Sequence, residues 1–382
     1  MESPRPLPTT LLVGTLLLTA LFLPTLSAPW DCSWDGSRFD PAGNRGDQTA
    51  LTKGMQVLGE MAVGTNALPW RMLGLLTMAG SGMLLARSLF RRGLAEQTAL
   101  VCVALFLWNP TILSEWLRPM SGSMLGLPLA ILGLGISASS ASAAATGAWT
   151  GRMLIVVAAC CQPAWIGLLL MRWQPVAAIA VTAGLGASTG AWMPLALSLA
   201  WTVAVPLDRF ITRPVTNPVR LGWIGLGGVL AIAVVGTMGQ MDRQIARAKM
   251  FDEVLQWCLR EALPGETIGW TATNGAPNGP SDTELGQFGA HLRRVGRGDL
   301  QIALYDTSSQ STAPRYRVAL GEPGESDLSW SLLQPVQIRY WAGSRQEVCT
   351  ITERNDVAAA QAAWLRAELE RAIAPQGSLI EK

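Results

Sequence analysis

Four aspartates, Asp31, Asp35, Asp40 and Asp47, fall within 17 residues of one another directly after the first apolar stretch of the chain. Carboxylates grouped in this way can take a proton from a hydroxyl or ligate a hard divalent cation through oxygen. Asp31 lies nearest the apolar stretch, Asp35 follows one helical turn later, and the basic side chain of Arg38 stands close by. The same pattern is what a solvated loop with turn-forming and helix-capping aspartates would show, and spacing alone does not separate the two readings. A second short segment, Leu113-Ser114-Glu115-Trp116-Leu117-Arg118-Pro119-Met120, puts an acid and a base three residues apart between a tryptophan and a proline. Arginine clamps phosphate well, so Glu115 and Arg118 read either as a headgroup site or as an interfacial ion pair.

The elements that must position these residues are apolar. Only nine charged side chains occur in residues 64–205, against 33 in the equally long window 241–382. A soluble domain carries about 25% charged residues, so the first window belongs in a membrane and the second in water. Apolar segments near the roughly 20 residues needed for a span are Thr10–Ser27, Leu68–Phe90, Thr98–Leu117, Ser121–Ser137, Met153–Met171 and Leu221–Gly239. A 31-residue stretch, Val176–Pro206, reads as one span with a broken or re-entrant extension, or as two short spans. The expected fold is therefore a polytopic α-helical membrane bundle of about seven spans, possibly eight, over residues 1–240, with an outer loop at 28–66. A soluble C-terminal α+β or α/β domain fills 241–382.

Arginines assign the sides. Arg91, Arg92, Arg152, Arg209, Arg213 and Arg220 mark cytoplasmic loops under the positive-inside rule. With seven spans this puts the N-terminus inside and the C-terminal domain outside the inner membrane. The first segment is expected to remain as an uncleaved anchor. After it, Leu51, Met55, Leu58 and Met61 fall on one helical face, which reads as a helix lying along the membrane surface.

Composition also excludes functions. A net charge of +2 argues against nucleic acid as a partner, and a single histidine, His291, leaves no His-rich metal site. No ionisable group stands securely at mid-span, which argues against an ion-coupled pump. In the C-terminal domain strands are expected at Thr267–Thr271, Leu300–Tyr305, Arg315–Leu320, Leu328–Leu333, Val336–Trp341 and Glu347–Thr352, with a last helix from Asn355 or Asp356 to Ile373. Cys258 and Cys349 could pair if that domain lies outside the cytoplasm.

The run Trp108–Met120, followed by the Leu-rich Ser121–Gly135, resembles a segment of the membrane-embedded C-type (GT-C) glycosyltransferases, closest in character to O-antigen glucosyltransferase and mannosyltransferase-like members. Pro69–Leu75, ending in Arg87, Arg91 and Arg92, is similar to that family's second span. The resemblance covers roughly residues 10–205. It implies transfer of a sugar from a polyprenyl-phosphate donor to an extracytoplasmic acceptor, with membrane lipid as the surrounding partner. Asp31 or Asp35 would be the base, Arg38 or Arg118 the phosphate-binding group, and Glu115 a second carboxylate or a ligand to a divalent cation. The alternative is a non-catalytic membrane scaffold or assembly factor whose outer domain binds a partner.

Overall fold

The computed structural model describes residues 8–27, 67–109, 122–139, 145–213, 217–272, 295–305, 314–320, 330–339 and 346–373. Individual positions at 54, 55, 58, 59, 61 and 112 and six between 285 and 293 are also described. The chain divides into two compact units, with the boundary between Ile245 and Ala246.

The first unit is helical. Its helices are α1 (Thr9–Ala20), α2 (Ala67–Arg91), α3 (Glu96–Leu107), α4 (Gly122–Ser139), α5 (Ala145–Cys161), α6 (Pro175–Thr189) and α7 (Met193–Ile211), followed by the start of α8 (Asn217–Arg260). Three stretches, Leu68–Arg91, Met193–Ile211 and Gly222–Asp242, are long and apolar enough to cross a membrane. Gly222–Asp242 presents its apolar side chains outward: Ile224 is 71% exposed, Ile232 74% and Val235 69%. Water would penalise that surface at roughly 25 cal/mol per Å². Such exposure is consistent with a membrane location.

Contacts near helix ends set the relative directions of α1, α3 and α7. The hydroxyl of Thr10, near the start of α1, donates to the Glu96 carboxylate at the start of α3. Beyond the far ends of the same two helices, the rings of Phe22 and Trp108 pack in a tilted pair with centroids 4.8 Å apart. Asp208, in the last turn of α7, accepts hydrogen bonds from the Ala95 backbone N–H and the Thr98 hydroxyl, both at 2.8 Å. Helix α3 begins at an alanine with no side-chain cap of its own. Asp208 supplies an anion there from a different helix, where the positive end of the helix dipole favours it.

Two reversals divide what hydropathy reads as longer segments. Helix α5 ends at Cys161; Gln162 is extended, and Pro163 opens a 3₁₀ helix, Pro163–Leu170. Proline lacks the N–H that would continue α5 and disfavours a helical conformation at the residue before it. The segment Met153–Met171, expected as a single span, is therefore broken near its middle. The stretch Val176–Pro206 is likewise resolved into two helices. Gly190 closes α6 with φ +74°, a left-handed conformation suited to glycine, and α7 begins three residues later. The tips of both reversals meet where the Gln162 amide donates to the Thr189 hydroxyl at 3.1 Å.

Small residues let α4 and α5 approach. A Cβ placed on Gly133 would lie 2.6 Å from the Gly151 carbonyl oxygen, and one on Gly151 would collide with Ser137. This is the small-residue packing used by membrane helices, where backbone proximity replaces hydrophobic drive.

The second unit contains a five-stranded mixed sheet in the order β2-β1-β3-β5-β4: β1 (Thr267–Ala272), β2 (Gln301–Leu304), β3 (Tyr316–Leu320), β4 (Trp330–Arg339) and β5 (Gln346–Arg354). Strand β1 runs parallel to β2 and β3, whereas β5 runs antiparallel to β3 and β4. The two expected strands around Gln334 form one edge strand with an irregularity between Leu332 and Gln334. Pro335 is tolerated there because an edge strand has an unpaired side. Phe251, Trp257 and Cys258 of α8 pack with Trp270, Phe288, Val318, Cys349 and Ile351 in one core. Helix α9 (Asn355–Ile373) follows β5 without a loop.

Candidate functional site

The residues expected to do chemistry, Asp31, Asp35, Arg38, Glu115 and Arg118, lie outside the described residues, as do Asp40, Asp47, Cys32 and His291. What is described is the framework from which they depart. The short 3₁₀ helix after α1 ends at Ser27, four residues before Asp31, and Ile112 stands three residues before Glu115. Phe22 and Trp108, in ring contact at 4.8 Å, tie these two departure points to one end of the helical unit. Both rings are buried, and the Trp108 carbonyl accepts a hydrogen bond from Thr237 of α8 at 3.1 Å. Helix α8 thereby braces the same end.

The surface helix expected after the aspartates is visible in part. Met55, Leu58 and Met61 are helical, and Leu58 and Met61 are 66% and 81% exposed. Gly59 sits so close to the Trp70 ring that a Cβ there would overlap it. Glycine at this position lets the segment lie against α2 while its apolar side chains face outward.

A second site was not foreseen from sequence. A pocket of about 240 Å³ opens at the end of the helical unit opposite Phe22 and Trp108, with Arg92, Arg152, Arg172, Ser137, Leu134 and Trp201 in its wall. Two of its arginines lie over aromatic rings. The Arg92 guanidinium lies 4.6 Å from the Trp201 ring centroid, and that of Arg152 lies 4.5 Å from the Trp173 centroid. Among the described residues no carboxylate lines the pocket. The Nη1 of Arg92 is buried and has no hydrogen-bond partner among them. In sequence these arginines carry only a loop-charge signal, and Arg172 falls on the wrong side of an unbroken span. The reversal at Gln162–Pro163 is what brings Arg172 back beside Arg152.

In the second unit the polar clusters hold structure together. Arg315 donates from Nε to Glu353 at 2.8 Å and from Nη1 to Glu266 at 3.1 Å, and it also bonds the Gln361 side chain. Burial opposes its charge, yet the bonds to Glu353 and Glu266 outweigh that and hold its pKa above the ordinary arginine value. Arg297 donates to the carbonyls of Cys258 and Ala262. It thus satisfies acceptors left open at the C-terminal end of α8. Cys258 and Cys349 do not pair: both are free thiols, each pushed up to about 12 by burial. No group of three or more His, Cys, Asp or Glu side chains among the described residues could hold a metal ion.

No protein-family model, curated protein or solved structure matches the chain.

Proposed function

We propose that the chain is a polytopic inner-membrane protein that transfers a sugar from a polyprenyl-phosphate donor to an acceptor on the extracytoplasmic side. The observation that carries this reading is the contact between Phe22 and Trp108. It gives the acidic segment behind α1 and the Glu115–Arg118 segment behind α3 neighbouring origins. An extended chain advances at most about 3.5 Å per residue. The reach from Ser27 to Asp31 is thus at most roughly 14 Å and that from Ile112 to Glu115 at most roughly 11 Å.

In this mechanism the acceptor hydroxyl attacks the anomeric carbon of the donor. Its proton passes to the carboxylate of Asp31 or Asp35, a new C–O bond forms, and the bond from the anomeric carbon to the phosphate oxygen breaks. The electron pair leaves with the phosphate, and configuration inverts in a single displacement. Arg118 or Arg38 stabilises the charge on the departing phosphate. Glu115 acts as a second carboxylate or a ligand to a divalent cation.

Sidedness supports the same reading. The two reversals at 162–163 and 190–192 each turn the chain back once, so together they leave the direction in which α8 runs the same as in the seven-span reading. They also move Arg172 to the side of Arg92 and Arg152, in better accord with the positive-inside rule.

The test is transfer by the full-length protein in membranes supplied with a radiolabelled polyprenyl-phosphate sugar. Asp31→Asn and Asp35→Asn should each leave a folded protein, and one of them should abolish transfer. Full activity in both variants contradicts the assignment.

A further inference from the structure

We infer that the pocket bounded by Arg92, Arg152 and Arg172 is a binding site for a phosphate-bearing anion, separate from the proposed sugar-transfer site. The pocket lies at the end of the helical unit opposite Phe22 and Trp108, and the inference holds whether or not the chain transfers sugar.

Three guanidinium groups share one pocket wall in which no described carboxylate takes part. Like charges gathered beside apolar side chains repel more strongly than in bulk water, and an anion removes that repulsion. Geometry then selects the kind of anion. The Arg92 guanidinium sits over the Trp201 ring and that of Arg152 over the Trp173 ring. A guanidinium carries a planar N–H edge that binds phosphate with two parallel bonds. A lysine pair would supply charge without that planar edge.

Size and lining narrow the ligand further. At about 240 Å³ the pocket lies below the roughly 300 Å³ at which drug-sized sites begin. It accommodates a phosphate and a few attached carbons. Leu134, Ile155, Leu168 and Trp201 supply apolar walls next to the arginines, which suits a phosphate joined to a carbon chain. The shared chemistry is a phosphomonoester, drawn from a lipid headgroup or from solution.

The experiment uses purified full-length protein in neutral detergent and follows its thermal unfolding during titration with dioleoyl phosphatidic acid, with inorganic phosphate, or with dioleoyl phosphatidylcholine. Phosphatidic acid should raise the unfolding temperature in a saturable manner, and phosphatidylcholine should not. A matching, competitive effect of inorganic phosphate identifies a soluble source; its absence identifies the lipid headgroup. Arg92→Gln combined with Arg152→Gln should weaken binding by at least about tenfold, the scale of a lost charge-assisted bond. Arg172→Gln, at an exposed position, should also weaken it, and serves if the double variant does not fold. Arg209→Gln removes an exposed charge outside the pocket and should leave affinity unchanged. Equal loss in Arg209→Gln, or no saturable response to either phosphate probe, overturns the inference.

Discussion

The Arg152 guanidinium lies over the Trp173 ring at 4.5 Å although 21 positions separate the two residues. A continuous helix between them would set them about 31 Å apart. The chain instead climbs α5 to Cys161, turns at Gln162–Pro163 and returns through the 3₁₀ helix Pro163–Leu170. Each pair of this kind contributes about 0.5–1 kcal/mol where exposed and about 2 where desolvated.

That reversal predicts sidedness. In a chain freed of its native cysteines, Thr150→Cys and Gln174→Cys, both at exposed positions, should react with a membrane-impermeant maleimide from the same side of intact vesicles. Labelling from opposite sides would restore a single span through Met153–Met171.

Close helix approach gives a second prediction. Gly133→Val should destabilise the helical unit by about 1–3 kcal/mol, the usual cost of overpacking, because its Cβ would press on the Gly151 carbonyl. Gly80→Ala, where a Cβ meets nothing within 4 Å, should leave the unfolding temperature unchanged or slightly raised. Equal behaviour of the two variants would mean that α4 and α5 do not pack through these glycines.

The C-terminal unit was the more legible half of the sequence. Strands expected at Thr267–Thr271, Arg315–Leu320 and Glu347–Thr352 match β1, β3 and β5 to within two residues at each end, and the last helix starts at Asn355. Alternation of apolar and polar residues marks a strand with one covered face, so these elements announce themselves. Pro335 hid the unity of β4, since proline in a strand is readable only once the strand is known to lie at an edge. In the helical half hydropathy stays high across Gln162 and Gly190, where the chain turns back. Apolar surface is the same on a straight span and on a hairpin, so the signal that finds membrane segments does not find their reversals. The arginine pocket was illegible for the same reason: Arg92, Arg152 and Arg172 converge only through those turns. Of the candidate chemistry, sequence supplied the residues of the acidic segment, and the described framework supplies the neighbouring origins of the two segments.

The buried guanidinium of Arg315 predicts a large stability effect. Arg315→Ala leaves Glu353, whose side chain is 15% exposed, and Glu266 without their shared partner. Removing one member of a buried ion pair costs about 3–5 kcal/mol; partial exposure of Glu266 places the expected loss near 3 kcal/mol. Denaturant unfolding followed by Trp270 fluorescence should register it. A loss below about 1 kcal/mol would mean that the pair acts as an exposed salt bridge.

Cys258 and Cys349 give a pH prediction whose sign follows from burial. Both thiols are held to about 12 in the folded unit, above the ordinary value of 9.0. The unfolded chain therefore releases these protons first. Stability from this source is complete below about pH 9 and declines as pH rises from there toward 12. The variant carrying Cys258→Ala and Cys349→Ala should show a shallower loss of stability above pH 9 than the parent chain. In the native protein at neutral pH both thiols should resist maleimide until unfolding. Rapid labelling of the folded protein would contradict their burial.

The central claim, that the segments behind α1 and α3 meet, is tested most directly by crosslinking Cys32 to a cysteine introduced by Ser114→Cys, with the other cysteines replaced, using a short bismaleimide in native membranes. Thr150→Cys with Gln174→Cys, at exposed positions beside the contact of Arg152 with Trp173, provides the positive control. An efficient intramolecular crosslink between residues 32 and 114 is expected. A control that crosslinks while this pair does not would show that the acidic segment and Glu115 lie apart, and would end the sugar-transfer proposal.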